Sequence, residues 1–114
     1  MYSGFEKEIK MKLMTKELYN KMPHLGSTSN KVAKDIPIIC KFFDPCGSWT
    51  WYVAEGQKEE DDFIFYGFVR GMENEFGNFS LNELQSVKGR LGLGIERDLH
   101  FDKHMLSEAI EKQI

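Results

Sequence analysis

The feature that most constrains this chain is a change of hydrophobic period near residue 36. Beyond it, apolar residues gather into three aromatic-rich extended runs: residues 37–43 (PIICKFF), 48–55 (SWTWYVAE) and 63–70 (FIFYGFVR). The links between them are short, a turn at Asp44-Pro45-Cys46-Gly47 and a polar loop over 56–62. Parallel neighbours need a crossover of roughly a dozen residues or more, so these runs predict an antiparallel sheet. In the second run Trp49, Trp51 and Val53 point to one face and Thr50, Tyr52 and Ala54 to the other, so a one-residue slip would exchange the whole tryptophan face. The third run has aromatics on both faces, as expected of a central strand covered on both sides.

Helical signals lie on either side. Phe5, Ile9 and Leu13 form one apolar stripe within 5–22, Thr15 is placed to cap a short helix through Met22, and Pro23 ends it. Residues 26–35 (GSTSNKVAKD) read as a loop, because their side chains compete for backbone hydrogen bonds. Ser80-Leu81-Asn82-Glu83 is a capping box that predicts a helix to Lys88, stopped by Gly89, with a short strand before it over 75–79. Residues 95–101 alternate Ile95, Arg97, Leu99 and Phe101 against Glu96, Asp98 and His100, which predicts a strand, and Asp102 is placed to cap a C-terminal helix. The expectation is a small α+β domain: a mostly antiparallel sheet of about four or five strands, with helices at the N-terminus, after Ser80 and at the C-terminus. Residues 1–12 read as an N-terminal helical extension and 13–114 as the single domain, a length and a 41% hydrophobic content that suit one core.

The formal charge of −3 hides a polarity. Residues 1–43 carry a net +4, residues 44–83 a net −7, and residues 84–114 are neutral. That distribution argues against a uniformly basic nucleic-acid binder and against a chain acidic enough throughout to imitate DNA. No stretch approaches the roughly 18 apolar residues of a membrane span, and Glu6, Lys7, Glu8, Lys10 and Lys12 interrupt any signal-peptide core, so a soluble, cytoplasmic protein is expected. Cys40 and Cys46 are too few for a disulfide framework.

No reaction is written in the residues. Gly89, Gly92 and Gly94 follow a predicted helix and precede a strand, the reverse of a phosphate-binding loop. Cys40, Cys46, His100 and His104 fit the spacing of no compact zinc module, and no nucleophile sits beside a histidine, so no catalytic, cofactor or metal residue is assigned and a non-enzyme is expected. The acidic run Glu59-Glu60-Asp61-Asp62, with Glu55 just before it and Trp49, Trp51 and Tyr52 on the adjoining strand, is the candidate partner-binding surface. Its bland reading is a solvated loop that keeps aromatic strands from aggregating, and its functional reading is a docking patch for a basic groove. Arg97, a charge on an apolar strand face, needs an acid such as Glu55 and is read as a structural ion pair.

One resemblance is carried by specific blocks. Met14-Thr15-Lys16-Glu17-Leu18, the segment 41–56 (KFFDPCGSWTWYVAEG), 61–67 (DDFIFYG), 77–84 (GNFSLNEL) and 95–99 (IERDL) together resemble the uncharacterised family catalogued as domain of unknown function 2958. The likeness spans about residues 13 to 101, and GSWTWYVAEG is its specific part. It implies an accessory protein of bacterial mobile genetic elements, plasmids and phages, and brings no catalytic residues; Cys46 stands where the pattern often has Trp. The expected function is a non-enzymatic protein-binding accessory, in its specific form an inhibitor of a host defence nuclease of the anti-CRISPR or antirestriction type, with no membrane partner. Two alternatives stand beside it: a nucleic-acid-binding module using Lys7, Lys10, Lys12 and Lys16, and a small hydrolase of unknown substrate.

Overall fold

The structure, a computed structural model, describes residues 13–88 and 92–114. The elements run α1 (Lys16–Lys21), a 3-10 turn (Ala33–Asp35), β1 (Cys40–Phe43), β2 (Thr50–Glu59), β3 (Asp62–Arg70), β4 (Asn74–Ser80), α2 (Leu81–Ser86), β5 (Glu96–Arg97) and α3 (Leu106–Glu111). The strands form one antiparallel sheet in the order β4-β3-β2-β1-β5, so the fold is a small α+β domain. Among the described residues, no helix is long and apolar enough to cross a membrane.

Alternation along the strands sorts the core onto two faces. Phe42, Trp51, Val53, Phe63 and Phe65 lie under Leu13, Met14, Leu18, Met22, Leu81 and Leu84 on the first face. Tyr52, Ala54 and Phe68 meet Ile36, Ile38, Leu106 and Ala109 on the second. The register that achieves this is Phe42↔Trp51 between β1 and β2, and Trp51↔Val69 between β2 and β3. Local chemistry closes the ends: the Thr15 hydroxyl accepts the Leu18 amide (3.2 Å) at the start of α1, and the Ser80 hydroxyl accepts the Glu83 amide (3.0 Å) at the start of α2. The Arg70 guanidinium donates to the Ala109 carbonyl (2.6 and 3.0 Å), which ties the end of α3 to the sheet.

Four expectations are corrected. The loop expected over 56–62 is mostly strand, because the β2–β3 ladder continues to Glu59↔Asp62 and leaves a turn of only Glu60 and Asp61. The strand expected over 95–101 shortens to Glu96–Arg97. Ile95 is buried on the first face, Leu99 is 71% exposed, and Phe101 has crossed to the second face beside Tyr52, an exchange that a continuous strand forbids. Helix α3 starts three positions later than an Asp102 cap requires, and its first turn is closed by the Glu108 carboxylate, which accepts the Met105 amide (2.7 Å). Helix α2 ends at Ser86, ahead of Gly89. The helix expected behind a Thr15 cap is α1, and the extension expected over 1–12, with Phe5 and Ile9, lies outside the described residues.

Candidate functional site

The acidic segment is carried by the longest hairpin of the sheet. Gln57, Lys58 and Glu59 at the end of β2 are exposed, as are Glu60 and Asp61 in the turn, where Glu60 takes a positive φ of 56°. Asp62 is different. Its carboxylate accepts the Phe63 amide (2.7 Å) and the Asn82 amide in the first turn of α2 (3.0 Å), while the Asn82 side chain donates to the Asp61 carbonyl (3.4 Å). Partial desolvation pushes the Asp62 carboxyl up, but the Asn82 and Phe63 amides, the Ser80 hydroxyl and nearby Lys58 together outweigh it and hold the carboxyl below its ordinary value. The hairpin tip is therefore clamped to a helix start, with three free carboxylates, Glu59, Glu60 and Asp61, pointing into solvent.

Glu55 does not belong to that surface. A register shift between Val53 and Glu55 inserts one residue into β2, so Glu55 lies opposite Tyr66 on the second face instead of following Trp51 and Val53 onto the first. There it is 3% exposed, and its carboxylate accepts the Gly26 amide (2.6 Å), the Thr28 amide (2.9 Å) and the Thr28 hydroxyl. Beside it a cleft of about 430 Å³ opens between the 26–31 loop and the sheet, lined by Lys31, Ile36, Tyr66 and Phe76. Opposite the shifted segment, a Cβ on Gly67 would lie 1.8 Å from the Tyr52 carbonyl oxygen, so only glycine lets the two strands approach this closely.

Two of the three aromatic candidates are core residues. Trp51 is buried on the first face and stacks on Trp49 (5.9 Å between centroids, 30° between planes). Tyr52 is fully buried on the other face, its hydroxyl donating to the Ile114 carbonyl (2.9 Å). Only Trp49, 40% exposed, reaches solvent. Eight residues expected to share one patch are thus divided: Glu59, Glu60 and Asp61 share the tip, Asp62 secures it, Trp49 stands half-buried near Gly71, and Glu55, Trp51 and Tyr52 are interior.

Arg97 pairs in register with Phe42 and so lies on the first face, which removes Glu55 as its ion-pair partner. Beside it on the same edge, Lys41 pairs with Asp98 (3.5 Å). Burial pushes the Cys40 thiol up to about 12, against smaller opposing effects of Arg97 and Lys21, so it is an inert core group. No three His, Cys, Asp or Glu side chains among the described residues converge in a way that would hold a metal ion. The Thr28–Glu55 contact was missed in the sequence, although two signals pointed to it: a lone acid at the end of an apolar strand, and a loop rich in Gly, Ser and Thr donors.

The family model described as "Protein of unknown function (DUF2958)" matches residues 13–112. The chain belongs to this family. Every element of the DUF2958 domain from α1 to α3 lies inside the match, and residues 1–12 lie outside it. No curated protein and no solved structure matches the chain. Two features of the DUF2958 domain face solvent among the described residues, the clamped acidic tip and the edge strand β4.

Proposed function

We propose that this domain is a non-enzymatic protein-binding module that engages a basic groove of its partner through the tip of the β2–β3 hairpin. The observation that carries the reading is the construction of the tip: Glu59, Glu60 and Asp61 are exposed, while Asp62 and Asn82 hold the turn against α2. A pre-ordered charged tip loses little conformational freedom on binding, and charges at the rim of an interface chiefly raise the association rate and its salt dependence. Grooves that hold nucleic acid supply the complementary charge. The specific form we favour is an accessory protein of a mobile genetic element that occupies such a groove in a host defence nuclease.

The test replaces Glu59, Glu60 and Asp61 together by Ser and leaves Glu55 and Asp62 in place, because those two support the fold. Capture of purified defence nucleases by the wild-type domain should weaken with rising salt. The triple variant, with an unchanged melting temperature, should bind more slowly and lose that salt dependence. Equal binding by the two proteins across a salt titration would end the proposal.

A further inference from the structure

The two edges of the sheet are closed differently. At one, β5 is two residues long, and the Asp98 amide extends its pairing with one more bond to the Lys41 carbonyl (2.9 Å). At the other, β4 runs seven residues in unbroken register with β3, and among the described residues it is the last strand in the order. An edge of that length offers a row of backbone donors and acceptors, and natural sheets usually blunt it with proline, lysine or a bulge. Residues 74–80 (NEFGNFS) contain no proline and no lysine, and no register shift interrupts their ladder.

The side chains of β4 give this edge a chemistry. Glu75 pairs in register with Val69 and is exposed on the first face, with Glu73 just ahead of the strand. Phe76 pairs with Phe68 and stands on the second face, 44% exposed, stacked on Tyr66 (6.2 Å, 13°). Residues 71–80 hold two acids and no base. We propose that β4 is a docking edge for an extended segment of a partner protein in which basic and apolar side chains alternate. The backbone of the segment bonds the edge of β4 that no other described strand pairs, and because successive side chains of a strand point to opposite faces, its basic residues fall beside Glu75 and its apolar residues beside Phe76. A second copy of this chain fits less well, since β4 paired with itself brings acids and no base to the contact. The surface is separate from the hairpin tip: Glu73 and Glu75 lie near the Arg70 end of β3, and the tip lies at its Asp62 end.

The test is a titration of the full chain with a capped heptapeptide of alternating lysine and valine, read by backbone amide chemical shifts. Shifts should concentrate on residues 74–80. Glu75→Lys, which changes an exposed side chain and should leave the melting temperature in place, should weaken binding about tenfold, because it turns an attraction into a repulsion. The triple serine variant of the tip should bind the peptide as the wild type does, so failure of the tip reading and failure of this one are distinguishable. The proposal is overturned if millimolar peptide moves no β4 amide, if the shifts centre on residues 57–62, if Glu75→Lys binds equally well, or if β4 amides shift on dilution of the protein alone, the mark of self-pairing.

Discussion

Glu55 and Thr28, 27 positions apart in the chain, are joined by two hydrogen bonds, the amide and the hydroxyl of Thr28 both donating to one carboxylate oxygen of Glu55. With the Gly26 amide on the other oxygen, a buried acidic side chain replaces regular secondary structure as the partner of this loop's backbone. Glu55→Gln presents a donor where Gly26 or Thr28 needs an acceptor and should cost about 2 kcal/mol of stability. Thr28→Val keeps the amide bond and should cost about 1 kcal/mol. Urea unfolding measures both, and a loss for Glu55→Gln no larger than that for Thr28→Val would contradict the arrangement.

Gly67 and Gly77 face each other across β3 and β4, yet their surroundings differ. A Cβ at Gly67 would strike the Tyr52 carbonyl, whereas one at Gly77 meets nothing within 4 Å. Gly67→Ala should therefore destabilise by about 3 kcal/mol, and Gly77→Ala should stay within about 0.5 kcal/mol of the wild type. Similar denaturation midpoints for the two variants would show that β2 and β3 can separate at the shifted register.

The Asp62 clamp makes a prediction about acid. Its carboxyl titrates below the ordinary aspartate value of 3.8, so its contribution is fully present above that value and is lost as pH falls through the lower folded-state value. Melting temperatures of the wild type and of Asp62→Asn should differ at neutral pH and converge as pH falls below 3.8 and through the lower folded-state value. A constant difference across the range would mean that the Asn82 and Phe63 amides do not depend on the charge of Asp62.

The two cysteines should react unequally. Cys40 is buried with its thiol pushed up to about 12, while Cys46 is partly exposed in the turn after β1. Iodoacetamide under native conditions should modify Cys46 and leave Cys40 untouched until the protein is unfolded, as intact-mass measurement would show. Rapid double labelling of the native protein would mean that β1 opens readily.

Glu60 occupies a backbone conformation that glycine adopts more easily (φ 56°). Glu60→Gly should raise stability by about 0.5 kcal/mol in urea unfolding, the relief of the left-handed conformation exceeding the added entropy of the unfolded chain. A loss of stability would show that the Glu60 side chain contributes to the tip.

The antiparallel pairing of the central strands was legible in the sequence, but the length and place of β5 were not. Alternation from Trp49 to Ala54, aromatics on both sides of FIFYGFVR and links too short for crossovers imply antiparallel pairing, and the Thr15 and Ser80 caps mark helix starts because their partners lie three residues away. Where the acids go depends on contacts between distant parts of the chain. A one-residue shift after Val53 turned Glu55 inward to a loop 27 positions earlier, and Asp62 found its amide on a helix 20 positions later. Periodicity reports which face a residue occupies, not whether a distant donor will be waiting there. The three carboxylates left in solvent, Glu59, Glu60 and Asp61, are those for which no such donor came within reach among the described residues.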